Sequence, residues 1–220
     1  MKILAIETSS TACSLALLID DTITTHHEIA PLQQAQIILP SINALLKSSD
    51  VSLPQLDAIA FGCGPGSFTG IRIAVSVAQG LGFGATLPLI PVSSLAALAQ
   101  AAFDDLGWRK LLVAVDARIN EVYWGMFEVQ EGFVQLKNKE CVSPPDKIQL
   151  PDSSDWYGVG NGWEIYRELI AFHPVEIDAK RLPMASAVAR LAKSKYEKGE
   201  YVSPAQAQPV YLRDRVACRR

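Results

Sequence analysis

Lys2-Ile3-Leu4-Ala5-Ile6-Glu7-Thr8-Ser9-Ser10-Thr11 is an apolar, β-prone run that stops on an acid and a cluster of hydroxyl residues. That is the pattern of a buried strand entering a polar turn. Residues 110–116, Lys110-Leu111-Leu112-Val113-Ala114-Val115-Asp116, repeat it. Working outward from the first run, residues 13–19 form a second apolar strand, Asp20-Asp21 a turn, and residues 22–28 a third, less hydrophobic strand. Ile38, Ile42, Leu45 and Leu46 then recur at three- and four-residue steps, which predicts a helix ending near Lys47. Residues 56–63 read as a strand. Gly64-Pro65-Gly66 turns the chain into a helix over residues 67–83, with Ser67 as N-cap. A strand over 87–92 and an Ala-rich helix from Ser93-Ser94 to about residue 103 complete the first series.

From residue 110 the series begins again. Strands are expected at 110–116, 121–129, 133–142 and 156–159, helices at 163–172 and 184–196, and an extended segment at 204–212. Each half opens with three strands, the first ending on an acid, and then brings in helices and a further strand. The repeat rests on element order alone, because the halves share negligible identity. It predicts an α/β protein of two duplicated β-β-β-α-β-α lobes, the plan of the actin- and hexokinase-like, ribonuclease H-like superfold. The N-terminal lobe is expected over residues 1–106 and the C-terminal lobe over 107–220, with the extreme C-terminal segment packing back on the N-lobe.

The composition, 49% hydrophobic and 20% charged over 220 residues, predicts a packed core rather than a disordered chain. A net charge of -3 and a pI near 5.6 argue against self-sufficient binding to a polyanion. Arg213, Arg215, Arg219 and Arg220 are a local exception, read either as a phosphate contact or as a solvated tail. The start lacks the layout of a signal peptide, and no apolar stretch is long enough to span a bilayer. Cys13, Cys63, Cys141 and Cys218 lie far apart and form no metal pattern. Reduced thiols in a cytoplasm are the expectation.

The densest signal is Gly64-Pro65-Gly66-Ser67-Phe68-Thr69-Gly70-Ile71-Arg72, where a strand passes through a glycine turn into a helix. Backbone N–H groups at such a helix start suit a phosphate. Glu7, Thr8, Ser9, Gly64 and Gly66 are the residues such a nucleotide reading would use. The Walker ending and the full dinucleotide fingerprint are both missing, so tight-turn geometry is the competing reading. Further on, Gly70, Ala74, Ala78 and Gly82 fall every fourth residue and leave one helix face almost bare. That face packs either on the chain's own sheet or on another subunit.

The remaining polar groups form no catalytic constellation. His26 and His27 are adjacent, so on a strand they point to opposite faces, and His173 stands alone before Pro174. No metal site is expected. Glu7 and Asp116 end matching strands and could handle a magnesium-bound nucleotide, or simply terminate turns through hydrogen bonds. Asp116-Ala117-Arg118 with Glu121 favours a structural ion pair over catalysis. Ser9, Ser10 and Ser67 lack a matching His and Asp.

Four segments together resemble the TsaB family, the dimerisation subunits of the bacterial tRNA threonylcarbamoyladenosine machinery: residues 3–9, residues 64–72, Asp116-Ala117-Arg118 with Glu121-Val122-Tyr123, and Pro209-Val210-Tyr211-Leu212-Arg213. The matches run in order along nearly the whole chain. The resemblance implies a two-lobed actin-like fold and a non-catalytic scaffold with no cofactor of its own, leaving a weak or interface-bound nucleotide as the open reading. It implies pairing with TsaD, the catalytic paralogue, a TsaE ATPase docking on that pair, self-pairing as a homodimer when TsaD is absent, and contact with tRNA only through the complex. The partner-binding surface it implies comprises Gln36, Leu39, Pro40 and Asn43 on the first helix. On the second it comprises Ser67, Thr69, Gly70, Ile71, Ile73, Ala74, Val77, Ala78 and Leu81. Many family members carry a histidine at the start of the first helix, where this chain reads Gln33-Gln34-Ala35-Gln36. The alternative, from another class, is an actin-like-fold small-molecule kinase or ATPase with its own nucleotide site.

Overall fold

The computed structural model describes residues 1–149 and 151–213. The chain divides into two compact units, Met1–Ala97 with Leu182–Pro209, and Leu98–Arg181 with the residues from Val210 onward. In the first unit β1 (Lys2–Glu7), β2 (Ala12–Ile19) and β3 (Thr22–Ile29) form an antiparallel meander. β4 (Ala58–Gly64) and β5 (Leu89–Ser93) join parallel on the other side of β1, giving the order β3-β2-β1-β4-β5. β1 is therefore central, and Ile3, Leu4, Ala5 and Ile6 are all fully buried.

Strand periodicity sends Leu4 and Ile6 to one face. There, with Leu15, Leu17, Ile59 and Phe61, they meet Ile38 and Ile42 of α1 (Gln34–Ser48) and Ile71 of α2 (Phe68–Ala85). α3 (Ser94–Leu106) follows β5 directly.

The second unit repeats the plan. β6 (Lys110–Arg118), β7 (Glu121–Gln130) and β8 (Phe133–Leu136) are an antiparallel meander, and β9 (Cys141–Ser143) also pairs with β7. β10 (Tyr157–Val159) and β11 (Ile177–Asp178) add parallel beside β6, so the order β11-β10-β6-β7-β8 mirrors the first sheet strand for strand. The α/β, duplicated actin- and hexokinase-like reading stands on this repeated topology.

Three expectations are corrected. The strand expected over 133–142 is two strands, because Asn138 Oδ1 accepts the Met126 N–H at 3.0 Å and takes the place of a ladder bond. The helix expected over 163–172 is only α4 (Gly162–Ile165) followed by turns. Its apolar stripe is real, with Trp163, Tyr166 and Ile170 buried, but the hydrogen bonds alternate between three- and four-residue spans and do not propagate. Within the segment expected to be extended, Pro204–Gln206 is a 3-10 turn capped by Ser203 and Gln206.

By contacts the first unit takes in a segment from late in the chain. α5 (Ala185–Glu197) belongs to the first unit, where it packs along β1, β2, β4 and β5. Its first N–H donates to Ser14 Oγ at 3.0 Å, and Ser14 alternates with Leu15, so α5 covers the face opposite α1 and α2. Small side chains on that face, Ala5, Ala16 and Ala60, let Ala185, Ala189 and Ala192 come close. Among the described residues no helix is long and apolar enough to cross a membrane.

Candidate partner-binding face

The glycine turn is locked onto the β1–β2 turn. Ser67 caps α2 as expected, its Oγ accepting the Gly70 N–H at 3.3 Å. Its own N–H donates to the Ser9 carbonyl at 2.8 Å, and Thr8 Oγ1 donates to the Gly70 carbonyl at 2.7 Å. The glycines are there for closeness: a Cβ at Gly66 would lie 2.7 Å from the Ser9 carbonyl oxygen, and one at Gly70 1.9 Å from that of Thr8. Gly64 adds a φ of 101°, open only to glycine at low cost.

Glu7 is buried behind this lock. One carboxylate oxygen accepts the Ser9 N–H at 2.6 Å and the other accepts Ser94 Oγ at 2.9 Å. Burial pushes its carboxyl above the usual range, against these hydrogen bonds, which pull it down. Glu7, Thr8, Ser9, Gly64 and Gly66 are thus brought together. The Ser9 N–H bonds Glu7, the Ser9 carbonyl bonds the Ser67 N–H and Thr8 Oγ1 bonds the Gly70 carbonyl, so the polar groups of this turn hold it to the start of α2.

The small-residue stripe faces inward, the first of the two packings its spacing allowed. Gly70, Ile71, Ala74, Ala78 and Gly82 are buried, and a Cβ at Gly82 would lie 2.8 Å from Leu89 Cδ2. The outward face of α2 is a different row: Thr69, Arg72, Ser76, Gly80, Phe83 and Gly84 are exposed, with Ile73, Val77 and Leu81 half-buried beside them. Nothing lies within 4 Å of a Cβ built at Gly80 or Gly84. The Arg72 guanidinium sits 3.8 Å over the Phe68 ring. On α1, which touches α2, Gln36, Leu39, Pro40 and Asn43 are exposed. Ser67 is exposed as well, but its side chain is spent on the cap. Ser76, Gly80, Phe83 and Gly84 escaped the sequence reading, although Ser76, Gly80 and Gly84 spell a second four-residue row of small groups.

Elsewhere the polar residues serve structure. Gln34 is buried, its Nε2 donating to the Ser10 carbonyl at 3.1 Å. Burial and the adjacent His26 hold His27 below the usual imidazole range. Among the described residues no group of three His, Cys, Asp or Glu could hold a metal ion. Cys13, Cys63 and Cys141 form no disulfide among the described residues, with burial and then Glu28 pushing Cys13 up to about 11, and Cys218 lies outside the described residues. Asp116 accepts the Tyr166 hydroxyl at 2.8 Å and lies 3.3 Å from the Arg118 guanidinium. Arg213 pairs with Glu121, while Arg215, Arg219 and Arg220 lie outside the described residues.

Residues 20–218 match the family model of TsaD, tRNA N6-adenosine threonylcarbamoyltransferase. Over its whole length the chain is 39% identical to the tRNA threonylcarbamoyladenosine biosynthesis protein TsaB of Escherichia coli strain K12, of which it covers 98%. The chain belongs to the TsaB family. The TsaB of Haemophilus influenzae is 37% identical, with 100% of this chain and 97% of that protein covered. The solved structure of YeaZ from Pseudomonas aeruginosa superposes with a TM-score of 0.93 at 45% identity, covering 96% of this chain and 99% of that one. This TsaB-family chain therefore matches a model described for a transferase while its full-length relatives carry the name of a biosynthesis protein.

Proposed function

We propose that this chain is a non-catalytic subunit required for threonylcarbamoylation of the adenosine next to the anticodon of tRNAs. It pairs with TsaD through the outer faces of α1 and α2, and the pair takes the ATPase TsaE. The tRNA meets it only within that cytoplasmic assembly, and in the absence of TsaD the same faces join two copies.

One observation carries this reading: the outer faces of α1 and α2 expose two large apolar side chains, Leu39 at 53% and Phe83 at 62%, and α2 adds the open surface of Gly80 and Gly84. Burying a side chain of this size contributes about 1.5–3 kcal/mol, and bare glycines let a second helix approach. The locked Glu7 and glycine turn support a subunit without its own chemistry over the kinase alternative.

Co-purification with TsaD tests it. Gly80→Arg and Leu39→Glu should abolish pairing while the unfolding midpoint stays within a few degrees of the parent. Retention of TsaD by both variants would sink the proposal.

A further inference from the structure

The last turns of α2 are poorly held by their own residues. Gly80, Gly82 and Gly84 alternate through them, and glycine loosens a helix interior because it has the most backbone freedom to lose. The cap is Thr86, in the left-handed region at φ 56°. Glycine is the usual residue there, and a β-branched one is an outlier. No cation lies in the last turn to meet the helix dipole.

What holds this end arrives from far along the chain. The Gln79 amide nitrogen donates to the Pro204 carbonyl at 3.1 Å and to the Ala207 carbonyl at 3.0 Å, 125 and 128 residues away. Leu89 and Val202 exchange both backbone bonds, at 2.9 and 2.8 Å, on the edge of β5. Pro204 lies against Gly82, where a Cβ would meet its Cγ at 3.1 Å, and Ala207 is buried in the same core cluster as Ala78 and Leu87. Residues 202–207 are thus tied to β5 on one side and to α2 on the other. Their own 3-10 turn is closed by Ser203 and Gln206. Gly80, Phe83 and Gly84, which this attachment steadies, belong to the outward face of α2.

We propose that residues 202–207 are a strap that keeps the glycine-rich end of α2 in the shape a partner needs, with Gln79 as the positioning residue that fastens it. The inference rests on the reading that TsaD covers the outer face of α2, and it adds that the face is set by a segment outside both helices.

The test follows amide hydrogen exchange and TsaD pairing in the full chain. Gln79→Glu keeps the size of the side chain but turns an acceptor-only carboxylate toward two carbonyls, and Val202→Pro removes one bond to β5 without touching the outer face. Both variants should still unfold cooperatively. Exchange at residues 82–87 should accelerate at least tenfold while residues 71–76 keep their protection, and TsaD pairing should weaken at least fivefold. Gln79→Lys, whose ammonium can donate to both carbonyls, should exchange within threefold of the parent. Unaltered exchange at 82–87 in Gln79→Glu and Val202→Pro, acceleration spread along the whole helix, loss of cooperative unfolding, or accelerated exchange with unchanged pairing would each overturn the proposal. Failure of the parent chain to pair with TsaD would instead overturn the function proposed above, and the exchange comparison would still decide whether the strap braces α2.

Discussion

Gly62 and Glu7 are in direct contact: a Cβ at Gly62 would lie 2.0 Å from Glu7 Oε2. The carboxylate has no room to retreat, because both oxygens are held, one by the Ser9 N–H and one by Ser94 Oγ. Gly62→Ala should therefore lower stability by about 1–3 kcal/mol, the usual cost of overpacking. Glu7→Ala on its own leaves two buried donors unpaired and a cavity. Because the new methyl at residue 62 would fill part of that cavity, the double variant should be less destabilised than the sum of the singles, as chemical denaturation of all four proteins would show.

The same carboxyl sets a pH dependence. Burial raises its folded-state pKa above the unfolded value of 4.5, so the native state binds the proton more tightly. The stability it contributes is fully present below 4.5 and is lost as pH rises through the raised folded value. Glu7→Gln keeps the acceptor for Ser9 and carries no charge. Its unfolding midpoint relative to the parent should climb as pH rises from 4.5 upward, and a flat difference across that range would show that Glu7 does not titrate in the fold.

Ala78 and Gly80 lie two residues apart on α2 and face opposite ways. Ala78→Glu buries an unpaired charge and should unfold the chain, seen as lost cooperative melting. Gly80→Ala fills open surface and should stabilise the helix by about 0.5–1 kcal/mol. If the outer face pairs with TsaD at glycine distance, that more stable variant should also pair less tightly, measured by titration with TsaD.

Arg213 holds the β6–β7 hairpin from its side chain alone, bonding Glu121 and two turn carbonyls. Arg213→Ala should cost about 1–3 kcal/mol, as for lost hydrogen bonds to a charged group. Amide hydrogen exchange should then accelerate at residues 117–121 and leave the first unit unaffected.

Local chemistry made much of this legible in advance. The alternation in β1 and β2, the Asp20-Asp21 turn, the periodicity of α1 and the Ser67 cap are all short-range effects, and the repeated element order followed from them. The resemblance to TsaB likewise rested on contiguous residues. What local pattern could not resolve was orientation. α2 carries small residues in two rows, Gly70-Ala74-Ala78-Gly82 and Ser76-Gly80-Gly84, and a helix that is small and apolar on both sides has no preferred outer face in isolation. Only the close approach of Thr8 to Gly70 and of Leu89 to Gly82 decides which row is buried. The placement of α5 is similar, because an amphipathic helix specifies the face it buries and not the sheet that buries it. The sequence by itself thus determined most of the elements and the family resemblance. The tertiary structure decided which face of α2 is exposed, since that depends on contacts made across long stretches of chain.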